Sequence, residues 1–187
     1  MKKVAAAGVC LALAVWIGRA DSAEALKSGP QVGNDVPGQF EPFNVTGDNA
    51  GKKSCQVCKN GPNPVVMIFA REVSGPLTKL IKKVDAATSD SANARMGSFV
   101  VFCTDEEAIV KELRALAAKE KLGDIVLTVY GKAGPEKYKL AKDADVTVVL
   151  YTGGVVKSNY AFRKGELSDK DIDKILDDLP KILAEKK

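Results

Sequence analysis

The sequence predicts an α/β domain: a mixed central sheet flanked by helices, entered through an irregular N-terminal arm or hairpin. Two observations predict it. Between residues 65 and 130, three short apolar runs alternate with two segments that carry apolar residues at helical spacing. After residue 145, two further apolar runs are split by Gly153-Gly154 and followed by one more amphipathic segment. The chain has 187 residues, enough for one domain with a real core and few for two.

The first segment reads as an address. Lys2 and Lys3 precede an apolar run from Val4 to Ile17, which suits a signal peptide and is short for a membrane span. Ala23-Glu24-Ala25 supplies small residues where a signal peptidase reads them, so residues 1–25 are expected to be removed. Cys10 and Trp16 leave with them. The mature chain is then expected outside the cytoplasm, periplasmic or secreted, with no membrane contact after cleavage. Disulfides persist in such compartments.

Residues 26–64 form the arm. Ser28-Gly29-Pro30, Val36-Pro37-Gly38, Gly47-Asp48-Asn49 and Asn60-Gly61-Pro62-Asn63-Pro64 are turn formers, with short apolar stretches such as Phe40 to Val45 between them. Residues 65–187 form the core. Val65 to Ala70 is apolar throughout, as a strand buried on both faces requires. Leu77, Leu80, Ile81 and Val84 follow at helical spacing, with Pro76 in the first turn and Ser74 or Gly75 as the cap. Ser98 to Cys103 is a second strand. Thr104-Asp105-Glu106-Glu107 reads as a capping box for a helix with Ile109, Leu113, Leu116 and Ala117 inward, and Gly123 as its C-terminal stop. Ile125 to Tyr130 is a third strand. Val146 to Tyr151 and Val155 to Ala161 make a hairpin. Ser168 opens the last helix, whose inner face is Ile172, Ile175, Leu176, Leu179, Ile182 and Leu183, and Pro180 interrupts it. The first strands must be parallel, because crossover helices join them; the closing hairpin is antiparallel.

From Val32 to about Leu183 the chain resembles the peroxiredoxin and thioredoxin-like superfamily, especially the alkyl hydroperoxide reductase/thiol-specific antioxidant branch, and exported bacterial thioredoxin-like proteins. Three stretches carry the resemblance: Val32-Gly33-Asn34-Asp35-Val36-Pro37, the strand Val65 to Ala70, and Val148 to Tyr151 with Gly153-Gly154-Val155-Val156. It implies a thioredoxin-like fold with a reactive cysteine just after the central strand, where helix N-terminal amides lower a thiol pKa. This chain has Arg71-Glu72-Val73-Ser74-Gly75-Pro76 there, without a cysteine, so peroxidase activity of the peroxiredoxin type is not expected. Relatives also place a cis-proline before the closing hairpin. Here Asp145-Val146-Thr147 stands in its place, so a trans peptide is expected. Arg71 and Glu72 stand at the edge where the resemblance places the active site, and read either as a surface ion pair or as ligand-binding residues.

Composition removes other classes. The chain has no histidine, which excludes Ser-His-Asp and Cys-His nucleophile systems and His-ligated zinc. Cys55-Gln56-Val57-Cys58 is followed by Lys59, not by the histidine of a c-type haem site. The formal charge is +4 without a basic stripe interleaved with aromatics, so no nucleic-acid partner is expected. Lys52-Lys53 and Lys82-Lys83 read as solvated surface. Asn44-Val45-Thr46 matches a glycosylation sequon.

The remaining chemistry belongs to three cysteines. Cys55 and Cys58 lie before the central strand, in a loop-like stretch without a strand before it or a long helix after it. The pair is either redox-active, exchanging with thiol or disulfide protein partners, or a structural disulfide that staples the loop. A third reading, a metal pair, lacks further ligands beyond Cys103 and carboxylates, and no metal or other cofactor is expected. Lys52, Lys53 and Lys59 favour a thiolate. In the redox reading Cys55 is the attacking thiol, by analogy with ordinary CxxC pairs. Cys103 ends the second strand, either as a small buried hydrophobe or as a resolving thiol.

Overall fold

The computed structural model describes residues 26–183, so the expected export segment lies outside the described residues. One six-stranded sheet runs in the order β1-β4-β3-β2-β5-β6. Its middle is β2 (Val65–Ala70), β3 (Gly97–Cys103) and β4 (Ile125–Tyr130), mutually parallel. Helices α2 (Gly75–Asp90) and α3 (Ile109–Glu120) make the crossovers. β5 (Val146–Thr152) lies antiparallel to β2, and β6 (Val155–Phe162) returns beside it. The two-residue turn uses Gly153 and Gly154 at φ 59° and 80°, the left-handed pair that lets the twist of two strands continue through a tight hairpin. Helix α4 (Asp169–Asp177) starts from a Ser168–Asp171 capping box, and α5 (Pro180–Leu183) follows the Pro180 break.

Alternation along β2 separates two cores. Val66, Ile68 and Ala70 face Leu77, Leu80, Ile81 and Val84 of α2, with Leu113, Ile172 and Ile175 beyond them. Each such fully buried aliphatic side chain contributes roughly 1.5–3 kcal/mol relative to exposure. Val65, Met67 and Phe69 face the other way, toward Phe99, Val101, Cys103, Val149 and Tyr151. Among the described residues, no long helix covers this second face. The arm does, through Phe40, together with Tyr138 from the β4–β5 connection; the Phe40 and Tyr138 rings meet edge-on with centroids 5.0 Å apart.

The arm is more ordered than its turn-rich composition suggests. β1 (Phe43–Asn44) adds a sixth strand antiparallel to β4, and Phe43 also bridges to Lys53. Upstream, Gly33 and Asn34 pair with Val156, and Asn159 Nδ2 donates to the carbonyls of Ser28 and Pro30 at 2.9 Å. Asn44 is fully buried and ties the loop between β1 and residue 54. Its amide nitrogen donates to Lys52 O and Ser54 Oγ, each at 2.9 Å, and its oxygen accepts from Gln56 Nε2. The glycosylation sequon is therefore spent inside the fold: Asn44 is enclosed, and Thr46 Oγ1 accepts from the Leu127 amide.

Two expected caps form elsewhere. Thr104 to Glu107 does not box α3, which begins at Ile109 behind Ala108; Thr104 Oγ1 accepts instead from Glu106 N in a local turn. The helix ends on Lys121 in the left-handed conformation, not on Gly123. Gly123, Asp124 and Ile125 point their amides at the Asp85 carboxylate, which fixes the entry to β4.

Replacing Asn44 with Ala strands several buried polar partners at once. Asn44→Ala is expected to cost about 2–4 kcal/mol, read as a lower urea midpoint at unchanged slope. A loss within about 0.5 kcal/mol would mean that the arm is not fastened at this point.

Candidate functional site

Cys55 and Cys58 are joined by a disulfide with their Cα atoms 5.3 Å apart. Helix α1 (Gln56–Asn60) brings them together. The sequence predicts no long helix after the pair, and the structure has only this five-residue turn, which includes Cys58. Cys55 is its N-cap in extended conformation, and its sulfur accepts from the Cys58 amide at 3.0 Å. Gly61 ends it at φ 55°, with Pro62 beyond, and this Gly-Pro stop was the sequence signal for so short a helix. The strand upstream is the two-residue edge strand β1 and not a core strand.

The environment of the two sulfurs differs. Cys58 and Lys59 are exposed, Cys55 is half-buried, and Gln56 is buried against Asn44. Cys58 Sγ lies 3.8 Å from Gln39 Oε1. Lys59 pairs with Asp48 at 2.8 Å and holds that carboxyl below its ordinary value, while Lys52 and Lys53 stand exposed nearby. At the other end of α1, Asn60 Nδ2 donates to Gln56 O, and its side-chain amide fills the space beside Gly97 that a Cβ would take. Gln39 carries no periodic or motif signal, and the sequon at Asn44 and the CxxC around Gln56 give no hint that these two side chains meet beneath the disulfide.

The edge of the sheet where the sequence resemblance implies a reactive thiol holds other residues. Ser74 caps α2, its hydroxyl accepting from Leu77 N at 3.3 Å. Arg71 and Glu72 do not pair with each other. Glu72 binds Lys164 at 2.7 Å. Arg71 spreads its guanidinium over three carbonyls: Ala144 at 2.8 Å, Lys132 at 3.0 Å and Ala141 at 3.0 Å. It thus clamps the whole connection between β4 and β5. The backbone before β5 is trans, as are all described peptide bonds.

Cys103 is a free thiol at the end of β3, 3% exposed, against Phe69 and Leu140 beside Arg71. Burial pushes its thiol up to about 12, with the Arg71 charge opposing weakly. Burial likewise raises the hydroxyls of Tyr138 and Tyr151, and raises Asp145, where Glu72 adds to the effect and Lys164 and Arg71 oppose it. Among the described residues, no three His, Cys, Asp or Glu side chains gather as a metal cage, and no helix is long and apolar enough to cross a membrane.

The raised thiol has a stability consequence. Cys103 in the unfolded chain ionises near its ordinary 9.0, while the folded thiol stays protonated to about 12. Its contribution is therefore complete below pH 9 and is lost as pH climbs from 9 to about 12. Chemical denaturation across that window should show stability falling steadily, less steeply in Cys103→Ala. Iodoacetamide at pH 8 should leave native Cys103 unmodified and label it once the chain is unfolded; rapid native labelling would contradict the burial.

No family model and no curated protein matches the chain. Solved structures do. A Bacteroides thetaiotaomicron chain named as a candidate protein disulfide isomerase superposes with a TM-score of 0.63 at 16% identity, covering 86% of this chain and 96% of that one. A Chlorobium tepidum chain named as a candidate thiol:disulfide interchange protein DsbE gives 0.58 at 14%, covering 86% and 100%. The reduced 2-Cys peroxiredoxin of Plasmodium vivax gives 0.55 at 19%, covering 79% and 81%. At these identities the likeness is one of architecture: the chain has the thioredoxin-like fold, with its CxxC disulfide on the N-terminal arm instead of the helix after the central strand.

Proposed function

We propose that this chain is an exported thiol–disulfide exchange protein that works through the Cys55–Cys58 disulfide. The observation that carries this reading is the asymmetry of the pair. Cys58 is exposed, and its own amide is aimed at the sulfur of Cys55.

That arrangement assigns the roles. A partner thiolate attacks Cys58 Sγ; the Cys55–Cys58 bond breaks, and a mixed disulfide forms between Cys58 and the partner. Cys55 leaves as a thiolate, stabilised by the Cys58 N–H. A second partner thiolate then attacks the partner's sulfur in the mixed disulfide. The products are a partner disulfide and a reduced Cys55–Cys58 pair, two electrons having moved to this chain. Run backwards, the same steps reduce a partner disulfide. Cys58, not Cys55, is thus the sulfur that partners meet, a reversal of the ordinary CxxC analogy that follows from exposure. Cys103 has no part in the scheme, because burial keeps it protonated. Peroxide reduction of the peroxiredoxin type has no part either, since Arg71 to Pro76, between β2 and the first turn of α2, contains no cysteine.

Export is supported by the character of residues 1–25 and by the disulfide itself, which persists in oxidising compartments. The partners are proteins bearing thiols or disulfides, as the names of the similar structures indicate for those proteins.

Equilibration in glutathione buffers tests the proposal. A reduction potential between about −120 and −270 mV, with insulin reduction above background, is expected. A potential below about −300 mV without insulin reduction would leave the pair as a structural staple. Single variants test the roles. Cys55→Ala should accumulate a glutathione adduct on Cys58, at least about tenfold faster than Cys58→Ala accumulates one on Cys55; the opposite order would return the attacking role to Cys55.

A further inference from the structure

At the C-terminal edge of the parallel strands, away from α1, lies a cleft of about 510 Å³ lined by Arg71, Asp105, Lys132, Ala133, Leu140 and Lys142. Three of these six side chains are cationic and one is anionic. Among the described residues, neither lysine nor Arg71 is in an ion pair. The single carboxylate, Asp105, already accepts the Lys132 amide at 3.0 Å. Two other acids stand near Arg71 but outside the lining of the cleft: Glu72 is bound to Lys164, and Asp145 lines the small cavity beside Cys103. The excess of positive charge is therefore a property of the cleft.

The cleft is also built. The Arg71 fork holds the carbonyls of Lys132 and Ala141, so the backbone carrying Lys132 and Lys142 is fixed to the end of β2. Leu140 supplies an apolar wall and continues inward to the small cavity above the Cys103 thiol. Ligands of open α/β sheets collect at this edge, outside the carboxyl ends of the strands.

We infer that this cleft binds a small organic carboxylate, its head group on the ammonium groups of Lys132 and Lys142 and its short apolar tail against Leu140 and Ala133. The apolar wall of Leu140 and Ala133 favours an anion with a tail over a bare inorganic ion such as phosphate. Arg71 acts as a positioning residue through the backbone it holds. This activity is separate from the Cys55–Cys58 pair and stands whether or not that pair exchanges disulfides.

Butyrate is the probe, titrated at constant ionic strength into ¹⁵N-labelled protein, with 1-butanol and inorganic phosphate in parallel arms. Saturable amide shifts at Lys132, Ala133, Leu140 and Lys142 with butyrate are expected, with weaker binding of both controls. The double variant Lys132→Gln/Lys142→Gln should lose roughly tenfold in affinity. Both side chains are exposed, so the variant's spectrum elsewhere should be unchanged, which separates lost binding from lost fold. Absence of saturation where a Kd of about 1 mM would register, equal affinity in the double variant, or phosphate binding as tightly as butyrate would each overturn the inference.

Discussion

The structure depends on one constraint: β2 is buried on both faces and must be covered on both. All six of its residues are apolar and enclosed. The crossover helices and the C-terminal helices cover one face, as right-handed connections require. They leave the second face, with Met67, Phe69, Phe99 and Tyr151, without a long helix. The arm and the β4–β5 connection close it. Residues 26–64 are therefore part of the core by physics, whatever their irregular appearance, and the CxxC pair is carried on a piece of that cover.

This placement sets the CxxC pair apart from the C-terminal edge of the parallel strands, because Asn60 of α1 is seated against Gly97 at the start of β3. A thiol at the start of α2 would have a sixteen-residue helix behind it and the C-terminal sheet edge around it. Here Ser74 occupies that cap, and Arg71, where the chain leaves the central strand, is tied to the β4–β5 connection. This edge carries Arg71, Lys132 and Lys142, and no thiol at the start of α2. The disulfide gains exposure, and the electrostatic help it receives is local: one amide from its own turn and a group of neighbouring lysines.

The sequence was most readable where one local rule dominated. Val65 to Ala70 and Ile125 to Tyr130 were placed to the residue, because continuous apolar runs bounded by turn formers have few alternatives. Ser168 and the Gly153-Gly154 turn follow equally local geometry. Reading failed where partners are distant in the chain. Thr104-Asp105-Glu106-Glu107 had the right composition for a capping box, yet Asp105 is drawn to the Lys132 amide across the sheet edge. Gly123 looked like a helix stop, yet Asp85, 38 residues earlier, decides that loop. Arg71 beside Glu72 suggested a pair, while the fold offered Arg71 three carbonyls between 61 and 73 residues away. β1 is two residues long and owes its existence to β4.

The cysteine pair is plain in the sequence, and helix α1 that carries it is not. Five residues are too few to form a helix on their own, because the cost of nucleation falls on very few hydrogen bonds. The turn exists because three ties hold it: the disulfide at its start, the Gln56–Asn44 contact at its buried side, and Asn60 seated against Gly97 at its end. Two of the three are independent of the oxidation state of the sulfurs. Opening the disulfide therefore removes one restraint and leaves the turn anchored through Asn44 and Gly97. The Cys58 amide stays beside Cys55, where it can receive the thiolate. A pair that depended on its own bond for position could act only as a staple. This pair has its position supplied by the arm, and that is the physical condition which the proposed exchange requires.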